Sequence, residues 1–218
     1  MSIFTFQLKS SQLLTPNYQL FSIFKHMIQE VASDLLQDLG VNPEDASVAF
    51  NTVVDGESRY IKDLRINLKN AFKAKNLSQK EAALIALSVA ANEQNDILQK
   101  LFTAQAKTAE ASEAEIAEAV ACASLLAANN VFYRFRHFMN KDKYNTIPAG
   151  IKMQIMMKPV SGKEFFELMS LAISAVNGCE MCVTAHEKSL LELGATEERV
   201  FDAVRIASVV VSATKLIY

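Results

Sequence analysis

The chain has 218 residues, half of them apolar and 21% charged, with a formal net charge of −2; that is enough for one substantial core or two fused small ones. Its lysines and arginines are spread along the sequence without forming a basic patch, which argues against a nucleic-acid partner. No apolar run approaches the ~20 residues that cross a bilayer and residues 1–29 lack the core of a secretory signal, so the expected location is the cytoplasm, with no membrane partner.

Only six glycines and four prolines interrupt long stretches of Ala, Leu, Glu, Lys and Gln, and the expected fold class is therefore all-α. Residues 1–50 read as an N-terminal helical extension. Within it, Phe21, Phe24, Ile28, Val31, Leu35 and Leu36 recur at near-helical spacing between Tyr18 and Leu39, which predicts an amphipathic helix laid on the core or on a neighbouring subunit. Pro43 is expected to end that helix, and Asn42 through Gly56 to serve as a connection. Residues 51–218 form the main domain. Capping boxes mark three helix starts in it, at Ser78–Glu81, Ser112–Glu115 and Ser161–Glu164, because a serine side chain and a glutamate three residues on can satisfy each other's free backbone donors. Thr196, followed by Glu197 and Glu198, marks a fourth.

These starts reveal an internal two-fold repeat. Residues 112–126 (SEAEIAEAVACASLL) lie over residues 196–210 (TEERVFDAVRIASVV) at an offset of 84 residues (196 − 112). Ser78 and Ser161 stand 83 apart (161 − 78), which implies two halves, about 76–134 and 160–218, with one residue of slippage. Duplication of one helical unit, each copy burying the other's apolar face, accounts for the pattern.

The repeat also supplies an internal control, since a purely structural residue should have a similar counterpart in the other half. Four residues fail that test. Cys179 stands opposite Asn95, Cys182 opposite Leu98, His186 opposite Phe102, and Glu167 opposite Ala83, or Leu84 if the register slips. Spacings of three and four residues stack Cys179, Cys182 and His186 on one side of a helix. Asn177-Gly178 is a plausible break just before them, placing Cys179 near a helix N-terminus, where free N–H groups favour thiolate over thiol. Glu167, on the preceding helix, could fold back onto His186.

The residues alone leave three readings of the pair. In a reducing compartment a Cys-x-x-Cys spacing serves redox chemistry or metal. A zinc ion would need Glu167 or a partner chain to complete its four ligands. Chance core cysteines are the third reading, and Cys122 fits it, because it matches Ile206. His26 and His137 have neither a repeat counterpart nor acidic neighbours in the sequence and read as filler.

Glu167, followed twelve residues later by Cys179-x-x-Cys182-x-x-x-His186, resembles the active-site signature of AhpD-type alkyl hydroperoxidases, within the carboxymuconolactone decarboxylase-like superfamily. The resemblance continues through Asn129-Asn130-Val131-Phe132-Tyr133-Arg134 and Ala175-Val176-Asn177-Gly178, and covers roughly Glu57 to Tyr218. It implies an AhpD-like helical fold and a homotrimer. It further implies a peroxidase and thiol–disulfide oxidoreductase in which Cys182 attacks an alkyl hydroperoxide, Cys179 supplies a proton and then closes a redox disulfide, and His186 and Glu167 relay protons. No bound cofactor and no metal are implied. The external reductant would be a lipoyl group on a lipoylated 2-oxoacid dehydrogenase component, and the partner an AhpC-type peroxiredoxin. Met181 departs from the pattern, because the best-known members carry a second histidine there. That leaves open a general disulfide reductase or a redox-sensing module with little peroxidase activity.

Overall fold

The computed structural model describes residues 16–218, with side chains from Ile23 onward; the first fifteen residues of the extension and the Phe21 side chain lie outside the described residues. Ten α-helices and two short 3-10 turns follow one another, with no strand among the described residues. In chain order they are α1 (Pro16–Asp38), α2 (Val48–Asp55), α3 (Tyr60–Ala71), α4 (Gln79–Asn92), α5 (Asp96–Thr108), α6 (Glu113–Met139), α7 (Asp142–Thr146), α8 (Lys163–Val176), α9 (Glu180–Glu192) and α10 (Glu197–Thr214). The 3-10 turns are Pro43–Asp45 and Gln154–Met156.

Helix α1 buries Ile28, Ala32, Leu35 and Leu36 along one stripe and packs on α3. It ends before Pro43 is reached. Gly40 takes a left-handed conformation, φ 66°, and the Val41 N–H turns back to the Leu36 carbonyl at 2.9 Å, which closes the helix end from within. The segment expected to be a connection contains a helix instead. Ser47 accepts the Phe50 N–H on its side-chain oxygen at 3.0 Å and so starts α2, while Phe50 anchors that helix in the core. The boundary drawn after residue 50 falls inside α2.

The two helical triplets, α4–α5–α6 and α8–α9–α10, run in one constant register. Helices α4 and α8 begin and end 84 residues apart (163 − 79 and 176 − 92), as do α5 and α9 (180 − 96 and 192 − 108), and α6 and α10 begin 84 apart (197 − 113). The one-residue slippage is absent because Ser161 does not cap α8. Gly162 does, at φ 90°, a conformation that strains any residue with a Cβ. The backbone N–H groups of Val160 and Ser161 are taken by the Glu118 carboxylate at 2.6 and 2.8 Å, and Glu164 is held by Arg199 at 2.8 Å. The expected box therefore does not form, and the Ser161 hydroxyl is left buried without a hydrogen-bond partner.

That arrangement is mirrored. Asp202 stands 84 residues after Glu118 and accepts from the backbone and side-chain N–H groups of Asn76 at 3.2 and 2.9 Å; Asn76 stands 84 before Val160. Each triplet thus sends one buried acid to pin the entry to the other's first helix. The Lys80–Glu115 pair, at 2.8 Å, recurs as Glu164–Arg199 with the charges exchanged.

Helix α6 is long and apolar enough to cross a bilayer by length and composition, although charged and polar residues interrupt its apolar runs. Here Ile116, Ala119, Cys122, Ala123 and Leu126 of α6 are buried against α4 and α8, so its apolar face is a core face.

Acid should loosen this fold through its caps. Lys80 and the Ser112 N–H hold the Glu115 carboxyl down at about 2, and Arg65 holds Asp38 below its ordinary value. At Glu81 burial pushes upward, but Arg199 and Ser78 outweigh it and the net shift is downward. A carboxyl harder to protonate in the folded state contributes stability above its unfolded pKa, and that stability is lost as pH falls through the folded value. Thermal unfolding is therefore expected at a distinctly lower temperature at pH 3 than at pH 6. An unchanged Tm across that window would mean that the capping carboxylates contribute nothing.

Candidate active site

The site is built at the junction of α8 and α9. Helix α8 is buried from Phe165 through Ser174, so a polar group on it is held within the core. At its end the Asn177–Gly178 turn reverses the chain, with Gly178 at φ 66° and the Cys179 N–H bonded to the Ser174 carbonyl at 3.0 Å. Gln94 makes the corresponding turn in the first triplet at φ 54°. Glycine at 178 removes the Cβ strain of that conformation.

Cys179 is the N-cap of α9. In the first triplet this position is Asn95, whose side chain accepts the Leu98 N–H at 2.9 Å; Cys179 makes no such cap. A sulfur has replaced a capping oxygen, among N–H groups that no side chain has satisfied. Cys179 and Cys182 are joined in a disulfide, with Cα atoms 5.3 Å apart. Cys179 is 0% exposed and Cys182 7%, which makes Cys182 the more reachable sulfur.

His186 lies one turn further along α9. Its Nδ1 is 2.6 Å from one oxygen of Glu167, and Lys163 Nζ is 2.9 Å from the other. Burial pushes the Glu167 carboxyl up, but His186 and Lys163 outweigh it and hold it below the ordinary carboxylate range. Glu167 is therefore an anion at neutral pH. With Nδ1 engaged, Nε2 is the ring nitrogen left for proton exchange.

A cavity of about 230 Å³ opens beside Cys182 and His186. Leu126, Asn129 and Tyr133 of α6 form one wall, Met153 and Met156 another, and Met181 and Ala185 of α9 complete it. A larger cavity of about 590 Å³ includes Ala83 and Phe102, the counterparts of Glu167 and His186. Neither cysteine nor histidine lines it, whereas Cys182 and His186 both line the smaller one.

Asn177, expected from the sequence only as a helix break, is joined by three further polar residues in steadying the α8–α9 turn. The Asn177 and Asn92 side-chain amides pair with each other at 3.0 and 3.1 Å, Asn177 also donates to Asn130 Oδ1 at 2.9 Å, and Arg134 donates to the Asn177 carbonyl at 2.5 Å. Asn130 in turn donates to Ser174 at 2.9 Å. Adjacent asparagines within the apolar pattern of α6 were the available signal. His137 acquires an acidic neighbour only in three dimensions, with Nε2 3.7 Å from Glu180. Cys122 is fully buried, and burial pushes its thiol up to about 12, which leaves it unreactive.

The sequence model of the carboxymuconolactone decarboxylase family matches residues 62–139 and 159–217, which contain all four candidate residues. The chain belongs to the carboxymuconolactone decarboxylase family, and it is of the AhpD type. It is 41% identical over 152 residues to the alkyl hydroperoxide reductase AhpD of Anaeromyxobacter dehalogenans strain 2CP-C, an alignment covering 70% of this chain and 81% of that protein. The AhpD of Coxiella burnetii strain Dugway 5J108-111 is 36% identical over 163 residues, covering 73% of this chain and 92% of the relative. A crystal structure of a putative gamma-carboxymuconolactone decarboxylase subunit from Burkholderia xenovorans LB400 superposes with a TM-score of 0.59 at 13% identity, over 86% of this chain and 93% of that one. That likeness establishes the carboxymuconolactone decarboxylase-like helical fold.

Proposed function

We propose that this protein is an antioxidant alkyl hydroperoxide reductase, a peroxidase whose Cys179–Cys182 pair cycles between dithiol and disulfide. The observation that carries the reading is one cluster: a disulfide at the start of α9 whose Cys182 shares an apolar cavity with His186, itself bonded to Glu167. The AhpD relatives are named for this activity.

In the reduced state His186, oriented by Glu167, takes the Cys182 proton. The resulting thiolate attacks the terminal oxygen of a hydroperoxide, an S–O bond forms as the O–O bond breaks, and the alkoxide leaves as the alcohol after accepting that proton. Cys179 then attacks the sulfenic sulfur of Cys182, water leaves, and the disulfide closes. A dihydrolipoyl thiolate reopens it at the reachable Cys182 sulfur, expelling Cys179 as a thiolate among the free N–H groups of α9; its second thiol then releases Cys182 and leaves oxidised lipoyl. The electrons come from the lipoylated component of a 2-oxoacid dehydrogenase, and the same dithiol reduces an AhpC-type peroxiredoxin. On this reading the chain's own part in the chemistry is carried by its two sulfurs, with no resident cofactor, in the cytoplasm. A homotrimer suits Val131, Phe135 and Phe138, exposed apolar residues on α6 near the site.

A redox role is favoured over a zinc site by the sulfur–sulfur bond, and no group of three or more His, Cys, Asp or Glu is disposed to hold a metal among the described residues. A second reading, a general disulfide reductase with little peroxidase activity, is favoured by Met181 in the cavity wall. The test is turnover driven by reduced lipoamide, with a small alkyl hydroperoxide in one arm and an oxidised AhpC-type peroxiredoxin in the other. Hydroperoxide turnover without the peroxiredoxin supports the first reading. Turnover confined to the second arm supports the alternative, and turnover in neither sinks both.

A further inference from the structure

The geometry points to Met153, Met156 and Met181 as the residues that select the substrate: they line an apolar subsite for its organic group, so that the site favours alkyl hydroperoxides of increasing chain length over hydrogen peroxide. This rests on the peroxidase reading above. Three of the chain's eight methionines line the cavity beside Cys182 and His186. They come from two places in the chain. Met153 and Met156 lie at the 3-10 turn ahead of α8, and Met181 belongs to the first turn of α9, next to Cys182. All three are partly exposed, so none is locked within the core.

No polar surface faces into this cavity. The Asn129 side-chain N–H is spent on the Met153 sulfur at 3.2 Å, which holds Met153 in place. A peroxide group finds no hydrogen-bond partner on such a wall, and giving up water without one is unfavourable. An organic group offsets that loss through apolar contact, each buried methylene strengthening binding about fourfold. Hydrogen peroxide has no such group. Methionine suits the part because its unbranched, freely rotating side chain adapts to alkyl groups of different shape, and about 230 Å³ accommodates a short alkyl chain. The internal control agrees. The residue 84 positions before Met181 is Ile97, a branched side chain packed on the core, so the repeat itself requires no methionine at this position.

The experiment measures kcat/KM for oxidation of the dithiol by hydrogen peroxide, ethyl hydroperoxide and n-butyl hydroperoxide. It compares wild type with Met156→Gln, Met181→Gln and the corresponding leucine variants; Met153 is left in place because of its bond to Asn129. Glutamine keeps the length of methionine and adds a polar amide, whereas leucine keeps the apolar surface. Wild type is expected to use n-butyl hydroperoxide about tenfold better than ethyl hydroperoxide, which shares its reacting group, and hydrogen peroxide least well. The butyl-to-ethyl ratio should fall about threefold or more in each glutamine variant and stay within about twofold of wild type in each leucine variant. Because the readout is a ratio of two substrates on one protein, incomplete folding of a variant does not alter it. A wild type that prefers hydrogen peroxide, or shows no rise with chain length, would overturn the assignment. So would glutamine variants that keep the wild-type ratio, or leucine variants that lose it as fully as the glutamine ones. Wild type unable to oxidise its dithiol with any of the three peroxides would overturn the function itself and this assignment with it, a result visible before any variant is made.

Discussion

Cys182→Ser is expected to abolish hydroperoxide turnover driven by reduced lipoamide, a loss of about 10³-fold or more, because a serine hydroxyl offers no low-pKa nucleophile in its place. Cys182 lines the cavity and Cys179 does not, so the two replacements should fail differently. Cys179→Ser retains the attacking sulfur and loses the resolving one. It should consume about one equivalent of hydroperoxide per chain, halt, and give a protein one oxygen atom heavier, trapped as sulfenic acid or carried further up the oxidation ladder. Intact-mass measurement after a single addition of peroxide distinguishes the variants. If Cys182→Ser takes up the oxygen and Cys179→Ser does not, the order of the two sulfurs is reversed; turnover surviving in Cys182→Ser would remove the nucleophile altogether.

Glu167→Gln should reduce kcat/KM for hydroperoxide by about 10²-fold, toward the lower end of what a positioned acid–base group contributes. The 2.6 Å contact fixes His186 through Nδ1, and an amide of the same shape cannot stabilise the charged ring that forms when the thiol gives up its proton. Because the Glu167 carboxyl sits below the ordinary range, it is already an anion throughout pH 5–8, and its removal should matter across that whole window. Glu167→Asp, which restores the charge on a shorter side chain, should recover part of the rate. A Glu167 that only supported packing would show a lowered Tm with a normal rate per folded molecule, and that pairing would refute the positioning role.

The candidate residues were legible through the repeat. Comparing Cys179 with Asn95, Cys182 with Leu98 and His186 with Phe102 required only the 84-residue offset, and spacing along one helix placed the two sulfurs and the ring together. The register at Ser161 was misread because the box motif is local, whereas its partners were claimed from elsewhere: Glu118 took the backbone and Arg199 took Glu164. The helix α2 was missed for a related reason. Pro43 and the polar residues after it signalled a loop, and a single Ser47 cap with Phe50 in the core was sufficient to start a helix beyond it.

Sequence by itself determined the all-helical class, the capped starts of α4, α6 and α10 and the choice of four candidate residues, because caps, periodicity and i,i+3/i,i+4 spacing act within about one turn of the chain. Tertiary structure alone decided which groups meet across that distance. It set Glu167 against His186, closed Asn92, Asn130, Arg134 and Asn177 around the turn before Cys179, and brought Asn129 and Met153 to the wall facing Cys182. Those contacts join residues from different helices, and only the packing of α6, α8 and α9 fixes them; nothing in the local pattern of any one helix carries that information.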